Sequence, residues 1–276
     1  MRLRGWGHFA AAFSLLLVLA VELTLSVGQQ SQTYDESVHL FSGYQYWKQR
    51  DFGANPEHPP LLRLVAALPL LALDLKVPPV AVGATKVANE TSAIDFIYRN
   101  TTDADRILYC ARMAASVFTY LLAVLVFLCG REMFGPGTGL LALLLLVFEP
   151  NILANGALVT TDIAETCLLF ASVYAFYRHV KHPGMGRLLV CGVAVGLAWA
   201  SKHSGVLVGP ILILLAIAEI LRQKRTSHEH TGGVAIPVVR QAGRLGIAFA
   251  AIFASDSQFS GAFTPSISPR GRAERP

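Results

Sequence analysis

Long apolar runs, separated by short polar stretches, occupy most of residues 8–221. A helix needs about 20 mostly apolar residues to cross the roughly 30 Å hydrocarbon core of a bilayer. The apolar runs predict six membrane-spanning helices, at about 8–27, 107–128, 137–156, 162–179, 187–201 and 205–221. A seventh run, residues 245–254, covers only about 15 Å as a helix and is predicted to be a partial span.

Two segments break this pattern. Residues 28–106 form a long polar segment, which contains the apolar stretch 60–73 with Pro69 at its centre. That stretch is short for a span and is predicted to be a helix lying in the membrane interface. Residues 255–276 are rich in Ser, Pro, Gly and Arg, lack apolar periodicity and are predicted to be a disordered tail. The pattern predicts an all-α, multi-pass integral membrane protein.

Composition supports this fold class. The 276 residues are 53% apolar and only 15% charged, whereas a soluble domain carries about 25% charged residues. The high mean hydropathy of +0.49 excludes intrinsic disorder for the chain as a whole. Four cysteines are too few to staple a chain of this length. The net charge of +5 does not indicate nucleic-acid binding, because the basic residues lie between apolar segments instead of in one patch.

The lysines and arginines of the short loops predict the orientation, since cytoplasmic loops carry an excess of them. With the N-terminus in the cytoplasm, the short cytoplasmic loops hold nearly all of them, whereas residues 150–161 on the outer side hold none and the outer turn near residue 202 holds only Lys202. Residues 28–106 are then the first outer loop. One alternative stays open for the first run: the basic start at Arg2 and Arg4 and the small residues Ser26 and Gly28 are also typical of a signal peptide.

Ionisable groups collect at the predicted outer ends of the helices. Such groups near a membrane are candidates for function, each with a partner to be found. Acidic side chains there can accept a proton from a hydroxyl or bind a metal, and basic ones can hold a lipid phosphate. The cluster consists of Asp35, Glu36, Glu57, His58, Arg112, Asp162, Glu165, Lys202 and His203.

The same residues also have ordinary structural interpretations. The Asp35–Glu36 pair is typical of a solvated loop, and Arg112 can extend from a helix end toward the interface. Asp162 follows two threonines before an apolar run, where such side chains cap helices. Lys202 can anchor a turn between two helices. Taken singly, the residues leave both interpretations open.

Four stretches of the chain together resemble a known family. They are TYDESVHLFSGYQYWKQRDFGANPEHPPL from Thr33, ARMAASVFTYLLAVLVF from Ala111, LVTTDIA from Leu158 and GLAWASKHSG from Gly196. In this order and spacing they resemble the phospholipid-carrier-dependent glycosyltransferases of the protein O-mannosyltransferase and aminoarabinose-transferase superfamily. That resemblance covers about residues 8–221 and implies the GT-C fold.

The resemblance implies transfer of a sugar from a polyprenyl-phosphate donor to an acceptor protein, lipid or glycan on the outer, periplasmic or luminal, side. It implies that Asp35 is the catalytic base or orients the acceptor, with Glu36 beside it. It also implies that Glu57 and His58 lie near the donor phosphate. The resemblance further implies that Arg112, Asp162 and Lys202 shape a charged cavity, with Arg112 and Lys202 as the candidates for binding the phosphate.

Three points stay open at this stage. Metal use varies among members of the superfamily, so a divalent metal is possible but not assigned. Members are considerably longer, so residues 1–254 are expected to be the N-terminal part of a GT-C domain and the chain to be truncated. The alternatives to an enzyme are an inactive or partner-dependent membrane remnant, or a transporter subunit. The transporter is disfavoured because the charges gather at helix ends and not at mid-membrane.

Overall fold

The structure is a computed structural model that describes residues 6–50, 52, 57–79 and 86–229. Every regular element in these ranges is helical, which confirms the predicted all-α class. The predicted partial span at 245–254 and the predicted tail at 255–276 lie outside the described residues. The α-helices are α1 Gly7–Val27, α2 Tyr34–Gln49, α3 Leu61–Ala67, α4 Lys86–Tyr98, α5 Ala104–Ala115, α6 Val117–Phe134, α7 Pro136–Val147, α8 Pro150–Asn155, α9 Thr161–Lys181, α10 Met185–Ser201 and α11 Val208–Glu229, with 3-10 helices at Leu68–Ala72 and His203–Leu207.

Three helical stretches in the described ranges are long and apolar enough to cross a membrane: Gly7–Val27, Ala104–Phe134 and His203–Arg222. They coincide with the predicted spans at 8–27, 107–128 and 205–221. The second combines α5 and α6, which join at Ser116, and it is longer than the sequence pattern predicted. Three of the six predicted spans therefore meet the criterion of length and composition.

The other three predicted spans are helical, but they are not among the helices that are long and apolar enough to cross a membrane. The run 137–156 divides into α7, about 18 Å long, and the short α8. Pro150 starts α8, and the Glu149 side chain caps it by accepting a hydrogen bond from the Asn151 N–H at 3.3 Å. The helix α9 has 21 residues but is charged at both ends, and α10 is a shorter apolar helix of 17 residues.

Contacts between helix ends group those ends into two sets. The carbonyl of Val27, at the end of α1, accepts a hydrogen bond from Arg112 on α5. At the start of α1, the Phe9 ring lies 4.6 Å from the guanidinium of Arg131, near the end of α6. The helix α1 is therefore antiparallel to the stretch formed by α5 and α6. Arg112 also pairs with Glu36 at the start of α2, Glu36 accepts a hydrogen bond from Val159 just before α9, and Asp162 at the start of α9 pairs with Lys202 at the end of α10. We call this set of helix ends the mixed-charge end.

The outward faces of the apolar helices carry large hydrophobic side chains. More than half of the surface of Phe13 and Leu17 on α1, Leu145 on α7 and Leu189 on α10 is exposed. Contiguous apolar surface of this kind is rare on water-soluble proteins and is typical of helices in contact with lipid. Together with the three candidate spans, it identifies a membrane protein.

Helix α2 is packed on nearly all sides, although its composition is polar. Ten of its 16 residues are buried, against α3, α4 and the 3-10 helix Leu68–Ala72. Gly43 allows this packing, because a Cβ at that position would overlap the carbonyl oxygen of Arg63 on α3. The predicted interfacial helix at 60–73 is confirmed as helical and packs against α2 through Leu62, Ala66 and Leu70.

Substitution of Gly43 by alanine is expected to force α2 and α3 apart. An added methyl group in a filled contact typically destabilises a protein by about 1–3 kcal/mol. The thermal unfolding temperature of the protein in detergent micelles should fall accordingly. Gly196→Ala on α10 is the matched control, since nothing lies within 4 Å of a Cβ there and alanine favours the helix. Equal unfolding temperatures for the two variants would contradict the close contact.

Candidate active site

The adjacent carboxylates Asp35 and Glu36 point in different directions at the start of α2. The Glu36 side chain turns back and accepts a hydrogen bond from the N–H of Thr33, the N-cap residue, at 2.8 Å. This places Glu36 in the interior, where it has no exposed surface. Asp35 is exposed and makes no hydrogen bond or ion pair with any residue that the structure describes.

Glu36 and Arg112 form a buried ion pair, which we call the buried clamp. Arg112 donates from Nε to Oε1 at 2.8 Å and from Nη2 to Oε2 at 2.7 Å. The N–H of Val159, just before α9, also donates to Oε1 at 3.1 Å. Burial opposes ionisation of Glu36, but the hydrogen bonds from Arg112, Thr33 and Val159 and the charge of Arg112 hold its pKa below the usual range.

The remaining donors of Arg112 hold the chain segment that leaves α1. Nη1 donates to the carbonyls of Val27 at 3.2 Å and Gln30 at 2.8 Å, and Nη2 donates to the carbonyl of Ser31 at 2.9 Å. A guanidinium has five N–H donors, and these three bonds together with the two to Glu36 use all of them. The buried clamp thus connects α1, α2, α5 and the segment before α9.

Arg112 enters the interior because it lies on the buried face of α5. Its neighbours on that face recur at helical spacing and join the main hydrophobic cluster. A charged residue on such a face is costly unless its hydrogen bonds are satisfied, which the clamp achieves. These apolar neighbours are Ile107, Leu108, Ala111 and Ala115.

A second charged group joins α9 to the end of α10. Lys202 Nζ lies 2.7 Å from Asp162 Oδ1 and 3.9 Å from Glu165 Oε2, and Ser204 Oγ donates to the same Glu165 oxygen at 2.8 Å. The Asp162 side chain is 66% exposed and that of Lys202 is 28% exposed, so both reach solvent. The hydrogen bond to Asp162 outweighs partial burial and raises the pKa of Lys202, which therefore remains a cation.

Three imidazoles lie between the two charged groups, and we call them the imidazole row: His39, His58 and His203. The ring centroids of His39 and His58 are 5.9 Å apart, and those of His58 and His203 are 6.3 Å apart. Arg63, fully buried on α3, donates from Nε to His39 Nδ1 at 3.0 Å and from Nη1 to Tyr46 Oη at 2.7 Å. The row thus leads from a buried cation to the neighbourhood of Lys202.

Burial and neighbouring positive charge keep the first two imidazoles neutral. Burial, followed by the charges of Arg63 and His58, lowers the pKa of His39 to about 3. Burial and the charges of Arg63, Lys202 and His203 also lower the pKa of His58, which is opposed by the exposed Glu57 beside it. Neither ring is therefore a cation near neutral pH.

Sequence reasoning missed three members of this arrangement. His39 lies three residues after Glu36, so it shares a helix face with a predicted site residue. Arg63 is a charged residue inside an otherwise apolar helix, a pattern that marks a paired and often functional group. Nothing in the sequence distinguishes Tyr46 from the other aromatic residues of α2, because its role depends on where Arg63 reaches.

The predicted site residues differ in their surroundings: some form ion pairs, some are exposed, and one belongs to the imidazole row. The structure brings Glu36 together with Arg112, and Asp162 together with Lys202, all at the mixed-charge end. Asp35 and Glu57 are exposed there, and His58 belongs to the imidazole row. No group of three His, Cys, Asp or Glu side chains in the described ranges is arranged to hold a metal ion.

A model of the family described as dolichyl-phosphate-mannose-protein mannosyltransferase matches residues 107–240. The match includes Arg112, Asp162 and Lys202, and it begins after α2. It supports a GT-C glycosyltransferase family, in agreement with the resemblance found in the sequence. No curated protein and no solved structure matches the chain.

Removing one partner of the buried clamp is expected to lower the stability of the protein. Arg112→Met leaves the Glu36 carboxylate buried without its counter-charge, which typically destabilises a protein by about 3–5 kcal/mol. The double variant Glu36→Gln with Arg112→Met should lose less than the sum of the two single variants. Thermal unfolding in detergent micelles measures each loss.

The control for the clamp is the pair of Asp95 and Arg99 on and just after α4. Their side chains are 34% and 79% exposed, with Arg99 Nε 3.4 Å from Asp95 Oδ1. Removing such an exposed pair costs at most about 1 kcal/mol, so Asp95→Asn should barely change the unfolding temperature. A loss for Arg112→Met as small as that of the control would rule out a structural role for the clamp.

Proposed function

We propose that this chain transfers a sugar from a polyprenyl-phosphate donor to an acceptor, because residues 107–240 match the model of a mannosyltransferase family that uses a lipid-phosphate donor. The observation that carries this proposal is the mixed-charge end, where the unpaired carboxylate of Asp35 and the partly exposed cation of Lys202 belong to one connected set of helix ends. Sugar transfer needs a base for the acceptor and a cation for the leaving phosphate, and this end offers both.

Asp35 is the proposed base. An acceptor hydroxyl attacks the anomeric carbon of the sugar, its proton passes to the Asp35 carboxylate, and the bond from the anomeric carbon to the phosphate oxygen breaks with its electron pair left on the phosphate. The buried clamp supports this role, since it fixes the first turn of α2 and so the direction of Asp35. Inversion of configuration at the anomeric carbon is what the family resemblance implies.

Lys202 is the proposed partner of the leaving phosphate, with His58 and Glu57 at the border of the donor site. Its ammonium group reaches solvent and lies 2.7 Å from the exposed carboxylate of Asp162, which stays in contact with water when Lys202 turns to a phosphate. The buried carboxylate of Glu165, 3.9 Å from Lys202, keeps its hydrogen bond from Ser204. Arg112, by contrast, has every donor engaged by Glu36 and three backbone carbonyls. We therefore assign Arg112 to support of the site and not to the phosphate.

We further propose that the mixed-charge end faces the outer side and that the N-terminus is cytoplasmic. The opposite ends of the helices carry Arg131, Arg178, Lys181 and Arg187, as the excess of positive charge in cytoplasmic loops requires. The donor then lies in the membrane beside the helices, and the acceptor, a protein, lipid or glycan, approaches from outside. An inactive or partner-dependent role is the alternative outcome of the assay below.

Asp35→Asn is expected to abolish transfer without changing membrane insertion. The assay uses the full chain in proteoliposomes with polyprenyl-phosphate mannose and a serine- and threonine-rich peptide, and it follows both the mannosylated peptide and the released polyprenyl phosphate. Loss of a general base lowers the rate about 10²- to 10⁴-fold. Asp74→Asn, an exposed carboxylate of the same predicted outer segment, is the control and should match the wild type.

Full activity of Asp35→Asn would remove Asp35 from the catalytic role. A wild-type chain that releases no polyprenyl phosphate from this donor, while binding it, would favour the inactive alternative. Protease protection of the vesicles checks that the variant and the wild type are inserted into the membrane to the same extent, so that a difference in transfer reflects the substitution.

Lys202→Ala is expected to raise the KM for the lipid donor more than it lowers kcat. A hydrogen bond to a charged group contributes about 1.5–3 kcal/mol, which corresponds to about a 10- to 100-fold rise in KM. The KM for the peptide should change little. Lys76→Ala is the control, since Lys76 is an exposed lysine of the predicted outer segment. A variant with an unchanged donor KM would show that Lys202 only anchors the junction of α9 and α10.

A further inference from the structure

Arg63 is the least expected charge in the structure, because it lies on an apolar helix and has no exposed surface. A buried cation is costly unless its donors are engaged. Two of its engaged donors go to neutral side chains on α2, namely the imidazole of His39 and the hydroxyl of Tyr46. The ordinary explanation of a buried arginine, a carboxylate partner such as Glu36 provides for Arg112, does not account for these two contacts.

The contact with His39 determines where that ring carries its proton. A guanidinium nitrogen only donates, so His39 Nδ1, 3.0 Å from Arg63 Nε, must be the acceptor and must be unprotonated. A neutral imidazole carries one proton, which is then on Nε2. We propose that Arg63 is a positioning residue that fixes His39 as the Nε2–H tautomer and so makes it a hydrogen-bond donor toward the site.

The surroundings of His39 support a fixed neutral state. Arg63 faces it from α3, His58 from the segment before α3, Asp162 from α9 and Glu36 from its own helix. Only the two carboxylates favour a proton on the ring, and burial together with Arg63 and His58 outweighs them. The ring therefore stays neutral across the physiological range, and its one proton stays opposite Arg63.

The fork of an arginine explains why this residue type is present. One guanidinium reaches both the ring of His39 and, through Nη1 at 2.7 Å, the hydroxyl of Tyr46, which prevents the guanidinium from turning away. A lysine at position 63 has a single point of attachment and cannot hold both groups at this geometry. Gly43 contributes by allowing α3 to approach α2 at this level.

A fixed tautomer of His39 affects the hydrogen bonds that the proposed donor site can offer. A fixed Nε2–H requires an acceptor opposite it, such as a carboxylate, hydroxyl or phosphate oxygen. His39 and His58 then form a wall that offers hydrogen bonds without added positive charge, and Lys202 supplies a partly exposed positive charge near that wall. This consequence rests on the proposed function, whereas the position of the proton does not.

The test is nitrogen NMR of the full chain in detergent micelles, labelled with ¹⁵N at histidine, between pH 5 and 8. His39→Gln assigns the signal by its disappearance. In the wild type we expect His39 to show an unprotonated Nδ1 and a protonated Nε2, with no titration over this range. In Arg63→Met we expect a mixture of the two neutral tautomers, because the donor that selects the Nε2–H form is lost while burial still disfavours the charged ring. Tyr46→Phe should give a smaller change in the same direction.

Arg99→Met, which removes an exposed arginine, is the control and should leave the His39 signal unchanged. A wild-type His39 with its proton on Nδ1, or one that titrates between pH 5 and 8, would overturn the proposal. So would an Arg63→Met spectrum identical to that of the wild type. The wild-type spectrum decides even if Arg63→Met does not fold, and since no transfer is measured, its result is independent of the sugar-transfer assay.

Discussion

The mixed-charge end of this protein depends on one buried ion pair, Glu36 with Arg112. Taking two charges out of water costs several kcal/mol for each ion, and their attraction offsets that cost only when every other hydrogen bond is satisfied. Here both carboxylate oxygens and all five guanidinium donors are engaged. The pair therefore fixes four separate pieces of the chain at one point, and the remaining polar groups at this end are arranged around it.

The clamp also separates two neighbouring carboxylates that the sequence presents as equivalent. Glu36 is fully buried with several donors, and Asp35 is exposed without a described partner. A carboxylate held by several donors is a poor proton acceptor, because its ionised form is already stabilised. The exposed one remains available to an acceptor hydroxyl. One helix start thus provides both the support of the proposed site and its proposed base.

The two parts of the fold are stabilised in different ways. Helices α1, α6 and α7 expose large apolar side chains and contact each other closely, as where a Cβ on Gly139 would lie 2.7 Å from the carbonyl oxygen of Phe127. Small residues that allow close approach are typical of helix packing in lipid. The segment around α2 and α3 instead buries a polar helix on most of its surface, so its stability depends on satisfied hydrogen bonds such as those of Arg63.

The sequence by itself determined the class of the fold and the positions of its long apolar helices. Apolar run length predicted the helices at Gly7–Val27 and within Ala104–Phe134, since helix propensity and burial in lipid act locally. It did not predict that the run at 137–156 breaks at Pro150, nor that α2 is a helix, because a polar helix packed on most sides has no apolar stripe to detect.

Only the tertiary structure decided which charged residues meet. The Glu36–Arg112 contact joins positions 76 residues apart, and the Asp162–Lys202 contact joins positions 40 residues apart. Local sequence patterns predict neither pairing, because they extend over only a few residues. The sequence pointed to His58 and His203 but not to the row that they form with His39, because His39 gains its environment from Arg63 on a different helix. Residue type fixed what each side chain is able to donate or accept, and the packing of distant helices determined which side chain each one meets.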